Sequence, residues 1–174
     1  MGNFAEDLRW SQSLDPMLAR IYSQSFKNFT GMSGTSLKMQ SSHGDRWVYA
    51  VGGVIFVEEK VDKSAEHTTC VIELLGNNGW GCISKMLFEG TSVDFLLYIF
   101  PNRGVAHLFP WLEFKQTMVD NLGYWLQPIE ESDQVWWRVV NAGDSQLPAL
   151  SIEEYYLTRM VPGTQTLTFD PEKP

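Results

Sequence analysis

Asp45, Glu58 and Lys60 are the residues of this chain whose types and spacing could do chemistry together. They lie in "HGDRWVYAVGGVIFVEEKVDK", residues 43–63, where two apolar runs flank Gly52 and Gly53. Apolar runs on either side of a glycine pair predict two antiparallel strands joined by a tight turn. With the glycines as the central turn residues, Val51 faces Val54, Tyr49 faces Phe56, Trp47 faces Glu58 and Asp45 faces Lys60. Cross-strand partners share a side of a sheet, and so do alternate residues along one strand. Asp45, Glu58 and Lys60 are therefore expected to project from one face. A four-residue loop centred on the same glycines keeps that parity, and a three-residue loop inverts it.

Carboxylate oxygens are hard ligands suited to Mg²⁺ or Mn²⁺, and an adjacent lysine can position or deprotonate a water or steady a pentavalent phosphate. The same three residues can equally form Asp–Lys and Glu–Lys ion pairs on a solvated face, worth under about 1 kcal/mol. Asp-x₁₂-Glu-x-Lys is a loose pattern, and spacing by itself leaves both readings open.

The elements that must position these residues follow from periodicity. Apolar residues at Leu14, Met17, Leu18, Ile21, Tyr22 and Phe26 have helical spacing, with Ser13 as N-cap and Pro16 in the first turn. Residues 28–44 are rich in Gly, Ser and Thr and read as a loop or weak strand before the hairpin. "HTTCVIELL" (67–75) reads as a strand and "GNNGWG" as a turn. The continuous apolar run "SVDFLLYIFP" (92–101) predicts a strand buried on both faces, with "VAHLF" (105–109) as its hairpin partner. "PWLEFKQTMVDNL" (110–122) predicts a helix closing near Gly123, and "VWWRVVN" (135–141) another strand. "LSIEEYYLTRM" (150–160) predicts a short helix with Ser151 and Glu154 as a capping box. Together these predict one α/β domain over residues 1–162, a mixed central β-sheet flanked by helices, and a loose tail at 163–174.

Bulk composition narrows the function classes. The length of 174 residues suits one domain, and 44% apolar residues are a globular rather than a disordered composition. A net charge of −8 argues against nonspecific coating of DNA, although bound cations would reverse the sign locally. Cys70 and Cys82 form no metal or redox spacing and read as buried thiols of a reducing cytoplasm. No apolar run approaches the ~18 residues of a membrane span, so no membrane partner is expected. His43, His67 and His107 are scattered without ligand spacing, and His43 lies two residues from Asp45. Glu73 would stand beside the acids if its strand paired next to the Glu58 strand. Trp80 in the turn would cap the core or wedge against a base.

Helix, loop, Asp on one strand, Glu-x-Lys on the next, a third strand and then a helix is an order that resembles the PD-(D/E)XK nuclease superfamily. "GDRWVYAVGGVIFVEEKVDK", "TTCVIELL", "GWGCISK" and "VDFLLYIFP...LFPWLEFKQ" are similar to a group of phage and prophage proteins within it, over roughly residues 3–125. The resemblance implies a restriction-endonuclease-like core and Mg²⁺- or Mn²⁺-dependent hydrolysis of DNA in the cytoplasm of a bacterial host. It makes Asp45 and Glu58 side-chain ligands, the Glu59 carbonyl a further ligand and Lys60 the catalytic lysine, with Glu73 and His43 as neighbours of the ligands. The family's acidic residue on the first helix has no clear counterpart, Glu6, Asp7 and Asp15 being the candidates, and "KVDKSAEH" lacks the usual run of basic residues after the lysine. An inactive scaffold that binds a host protein is the alternative, supported by the acidic charge. A homodimer resolving branched DNA is a third.

Overall fold

A computed structural model of the chain describes residues 13–36, 43–64, 66–73, 75–76, 79–80, 90–126, 137–142 and 147–170, together with Met39 and Leu87. In chain order the elements are α1 (Asp15–Ser25), β1 (Gly31–Gly34), β2 (Arg46–Ala50), β3 (Gly53–Val61), β4 (Thr69–Glu73), β5 (Leu75–Gly76), β6 (Gly79–Trp80) and β7 (Phe95–Phe100). There follow β8 (Val105–Pro110), α2 (Trp111–Trp125), β9 (Trp137–Ala142), β10 (Leu147–Glu153), α3 (Glu154–Met160) and β11 (Gln165–Thr168). The fold is α/β. A mixed six-stranded sheet runs β1-β2-β3-β7-β8-β11, beside a three-stranded sheet β4-β10-β9 and the short β5-β6 ladder. Only the β3–β7 pairing among these is parallel. Among the described residues, no helix is long and apolar enough to cross a membrane.

Alternation along the central strands builds two cores, one on each face. Val48, Val57, Leu97, Ile99, Ala106 and Leu108 pack under α1, which buries Met17, Leu18, Ile21, Tyr22 and Phe26. Leu96, Tyr98, Phe100 and Phe109 point the other way, against Cys70, Ile72, Leu150 and Ile152 of the second sheet and against α2 and α3. β7 supplies both layers, which is why its sequence is a continuous apolar run rather than an alternating one. Gly104 takes a left-handed conformation at the end of the turn after β7, so that β8 returns beside it.

Several boundaries differ from those expected. α1 has Leu14 rather than Ser13 at its N-cap and no side-chain cap. α2 runs through Gly123 to Trp125, whose buried indole ring outweighs the glycine's low helix propensity. Ser151 lies in β10 opposite Arg138 and Val71, so the expected capping box does not form; pairing on both sides overrides the local signal. Gln165–Thr168, expected within a loose tail, forms β11 on the open edge of β8. Cys70 is a buried free thiol, whereas Cys82 and Trp136 lie outside the described residues.

Candidate functional site

The hairpin forms with a register two residues away from the expected one. Ala50 pairs with Gly53, Tyr49 with Val54, Trp47 with Phe56 and Arg46 with Val57. The loop residues are Val51 and Gly52 rather than the two glycines. Val51 does not take a positive φ, whereas Gly52 has φ +112°. That is the sign pattern of a turn needing glycine at its second central position. A shift of two preserves parity within the ladder, from Arg46 and Val57 to Ala50 and Gly53, while the partners change. The ladder ends at Arg46 and Val57: the Asp45 N–H turns to the Val57 carbonyl instead of continuing it, so Asp45 is paired neither with Lys60 nor with Glu58. Glu58 and Lys60 share the face of Leu96 and Tyr98 on β7.

Gly44 fixes where Asp45 enters. Its φ of +72° turns the chain, and a Cβ there would stand 2.6 Å from the Val57 carbonyl oxygen and 2.9 Å from the Glu58 nitrogen. Only glycine lets the two backbones approach this closely. The Asp45 N–H then donates to the Val57 carbonyl at 2.9 Å, and the Glu59 N–H donates to Asp45 Oδ2 at 3.1 Å. Successive backbone groups along a strand point to opposite edges. The Asp62 N–H reaches β7 through Ile99, so even-numbered residues of this run face β7 and Glu59 faces the β2 edge. The Glu59 carbonyl therefore lies on the same edge as the Asp45 carboxylate.

The Glu59 side chain has a different role, on the opposite face. It accepts from Tyr22 on α1 at 2.5 Å and from Arg46 Nε and Nη2, each at 3.2 Å. Arg46 Nη1 also reaches Asp15 at 2.9 Å. Burial pushes the Glu59 carboxyl above its usual range, against the lowering effect of Arg46 and the Tyr22 hydroxyl. Burial opposes the charge on Arg46 too, but Glu59 and Asp15 outweigh it and hold the guanidinium firmly cationic. Asp15, one of the candidates for an acid facing the site, is thus engaged with Arg46 on the α1 side. The parity of Glu58 and Lys60 concerns the other face of the hairpin and does not reveal this cluster. Its signal was Arg46 and Glu59, both at positions of the helix-facing set that otherwise holds Val48 and Val57.

Glu58 is only 2% exposed, whereas Asp45, Lys60 and His43 are half-buried. The His43 ring packs edge-on against Phe56 with centroids 5.3 Å apart, which puts it on the Glu58 face of β3. The pairing assumed for Glu73 does not occur. β4 belongs to the second sheet, where Glu73 pairs with Ala149, and β3 is followed in the central sheet by β7. A crossover to another sheet removes the reason for placing Glu73 beside Glu58.

Among the described residues, no three His, Cys, Asp or Glu side chains gather into a metal-holding group. A divalent ion between Asp45 and Glu58 would have two carboxylates, a main-chain oxygen and water or substrate oxygens. Mg²⁺ tolerates such a set, since it keeps several waters and is commonly bound through one or two carboxylates plus phosphate. The donor chemistry of the site fits the ion.

A second polar group lies at the other end of the central sheet. Arg103 grips Glu154 with both terminal nitrogens. His107 bridges Glu154 at 3.1 Å and Thr166 at 3.0 Å. Burial lowers the His107 pKa against the pull of Glu154. Burial raises that of Glu154, but Arg103 and His107 outweigh it and leave the carboxyl below its ordinary range. Both ring nitrogens of His107 are occupied within the fold, as in a structural histidine that ties β8, β11 and α3 together.

Comparison with models of protein families, with curated proteins and with solved structures matches this chain to none of them.

Proposed function

We propose that this chain is a metal-dependent nuclease that hydrolyses DNA phosphodiesters with a PD-(D/E)XK-type site on the hairpin and a restriction-endonuclease-like core. The observation that supports the reading is local: the Glu59 N–H donates to Asp45 Oδ2 at 3.1 Å where the β2–β3 ladder begins, and Glu58 and Lys60 share one face of β3.

Asp45, Glu58 and the Glu59 carbonyl would hold Mg²⁺ or Mn²⁺, which when bound supplies charge neutralisation to the phosphate. Lys60 Nζ orients the attacking water and steadies the oxygens it approaches. Asp45 is itself held by the Glu59 N–H, so the ligand does not have to be ordered at the moment of reaction.

The test is nicking of supercoiled plasmid with Mg²⁺ or Mn²⁺, using Asp45→Ala and Lys60→Ala. Each substitution should abolish cleavage while leaving the melting temperature nearly unchanged. If both variants cut like the parent, the reading is wrong. The net charge of −8 favours a second reading, an inactive scaffold that binds a basic protein partner. Absence of Mn²⁺ binding in calorimetry, with no cleavage and a stable partner in a pull-down, would establish that reading instead.

A further inference from the structure

The face that carries Glu58 continues along the hairpin as a row of aromatic residues. One step along the ladder Trp47 lies opposite Phe56, and one step further Tyr49 lies opposite Val54. Each step is two residues, about 6.8 Å. The next strand outward, β1, sets only Ser33 beside Trp47 and Gly31 beside Tyr49. No bulky side chain of β1 stands over the rings, and a Cβ added at Gly31 would meet nothing within 4 Å.

The two faces of these strands differ sharply. Arg46 and Val48 are buried on the α1 side, whereas Trp47 and Tyr49 are part-exposed and Val54 is 43% exposed. Phe56 packs edge-on between His43 at 5.3 Å and Trp47 at 5.9 Å, which fixes the rings in place. The Trp47 indole N–H is buried and has no acceptor among the described residues.

Charge selects the ligand. Affinity for duplex DNA comes largely from neutralising phosphates, which a chain of net charge −8 is poorly equipped to do. Stacking on aromatic rings needs no charge, but it needs bases that are not already stacked within a duplex. We propose that Trp47, Phe56 and Tyr49 form a platform for unpaired bases, so that the substrate is single-stranded nucleic acid whose phosphodiester reaches Asp45 and Glu58. The assignment of that phosphodiester rests on the nuclease reading; the platform itself does not.

The test is fluorescence anisotropy with a labelled oligothymidylate of about 12 nucleotides, in buffer without divalent ions so that nothing is cut. The single strand should bind more tightly than a duplex of equal length, with a shallow dependence on salt. Trp47→Ala and Phe56→Ala should each weaken binding about 5- to 150-fold, the 1–3 kcal/mol of one stacked base at 1.4 kcal/mol per tenfold. Trp47→Phe keeps a ring and should retain most of the affinity. On the unaltered protein, an iododeoxyuridine strand should crosslink to peptides containing Trp47, Tyr49 or Phe56, which reads the platform without any substitution. Duplex binding as tight as single-strand binding, parent-like affinity in both alanine variants, or crosslinks confined to other peptides would overturn the platform. An Asp45→Ala protein that cuts like its parent overturns the nuclease reading and leaves the platform standing; parent-like binding by Trp47→Ala and Phe56→Ala does the reverse.

Discussion

Replacing Arg46 by Met should unfold this protein far more readily than its place on a short hairpin strand suggests. The Arg46 and Glu59 side chains are each 9% exposed, and two nitrogens of the guanidinium hold the two Glu59 oxygens. Arg46 also reaches Asp15, but that carboxylate is 45% exposed and its share is under about 1 kcal/mol. The cost is therefore set by Glu59, left as a buried charge with the Tyr22 hydroxyl as its remaining described hydrogen-bond donor. Removing one partner of a buried pair costs about 3–5 kcal/mol, whereas replacing both by apolar groups of similar volume is often neutral. Arg46→Met should thus lose about 3–5 kcal/mol in urea denaturation at pH 7, or roughly 6–20 °C in melting temperature. Arg46→Met with Glu59→Leu should regain most of that loss. The pH dependence has a definite sign. Burial already raises the Glu59 carboxyl, and without Arg46 it rises further, so the folded state holds a proton that the unfolded state gives up above about 4.5. The deficit should then grow as pH rises from that value, and be smaller at pH 5 than at pH 7. A single variant costing under about 1 kcal/mol, or a double variant no more stable than the single, would refute the argument that a buried pair ties α1 to β3.

Gly44→Ala should be severely destabilising, by about 3 kcal/mol or more, because a Cβ 2.6 Å from the Val57 carbonyl forces the strands apart at a positive φ. If the site reading is right, it should also abolish cleavage under conditions where the variant remains folded, as judged by circular dichroism. Acid should weaken the fold through His107 and Glu154, both lowered in the folded state. Their stabilising contributions are complete above the unfolded values of 6.5 and 4.5 and are lost as pH falls through the folded ones, so stability should begin to decline just below pH 6.5. His107→Asn melted across pH 7 to 5 should flatten the upper part of that decline; an unchanged profile would contradict it.

The parity of the paired hairpin residues is legible because it depends only on period two and on an even loop, and a two-residue change of register leaves it intact; the turn of Asp45 out of the ladder is not legible in the same way. The register itself was not legible. Gly52 and Gly53 both take positive φ, and the sequence does not say whether the loop uses both or places Val51 at its first position. The apolar runs of β7 and β8 were readable for the same reason that they form the centre of the sheet. Elements whose identity depends on distant partners were not. Ser151 looked like a cap until β4 and β9 claimed β10 from either side, and β11 is a polar strand held by its pairing with β8. Glu73 does not stand beside Glu58 because sequence neighbours are not sheet neighbours here: the chain crosses over and β4 joins a second sheet. The turn at Trp80 was readable and forms between β5 and β6.

The position of β11 has a consequence for how the chain is made. Among the described strands it is made last, yet it covers an edge of β8 that has been available since much earlier in synthesis. Until it arrives, the backbone groups of Ala106 and Leu108 on that margin offer a template to any passing extended segment. A message that stops after Pro162 would leave that margin bare for good. Its product should accumulate as aggregates even though every residue of the candidate site is present.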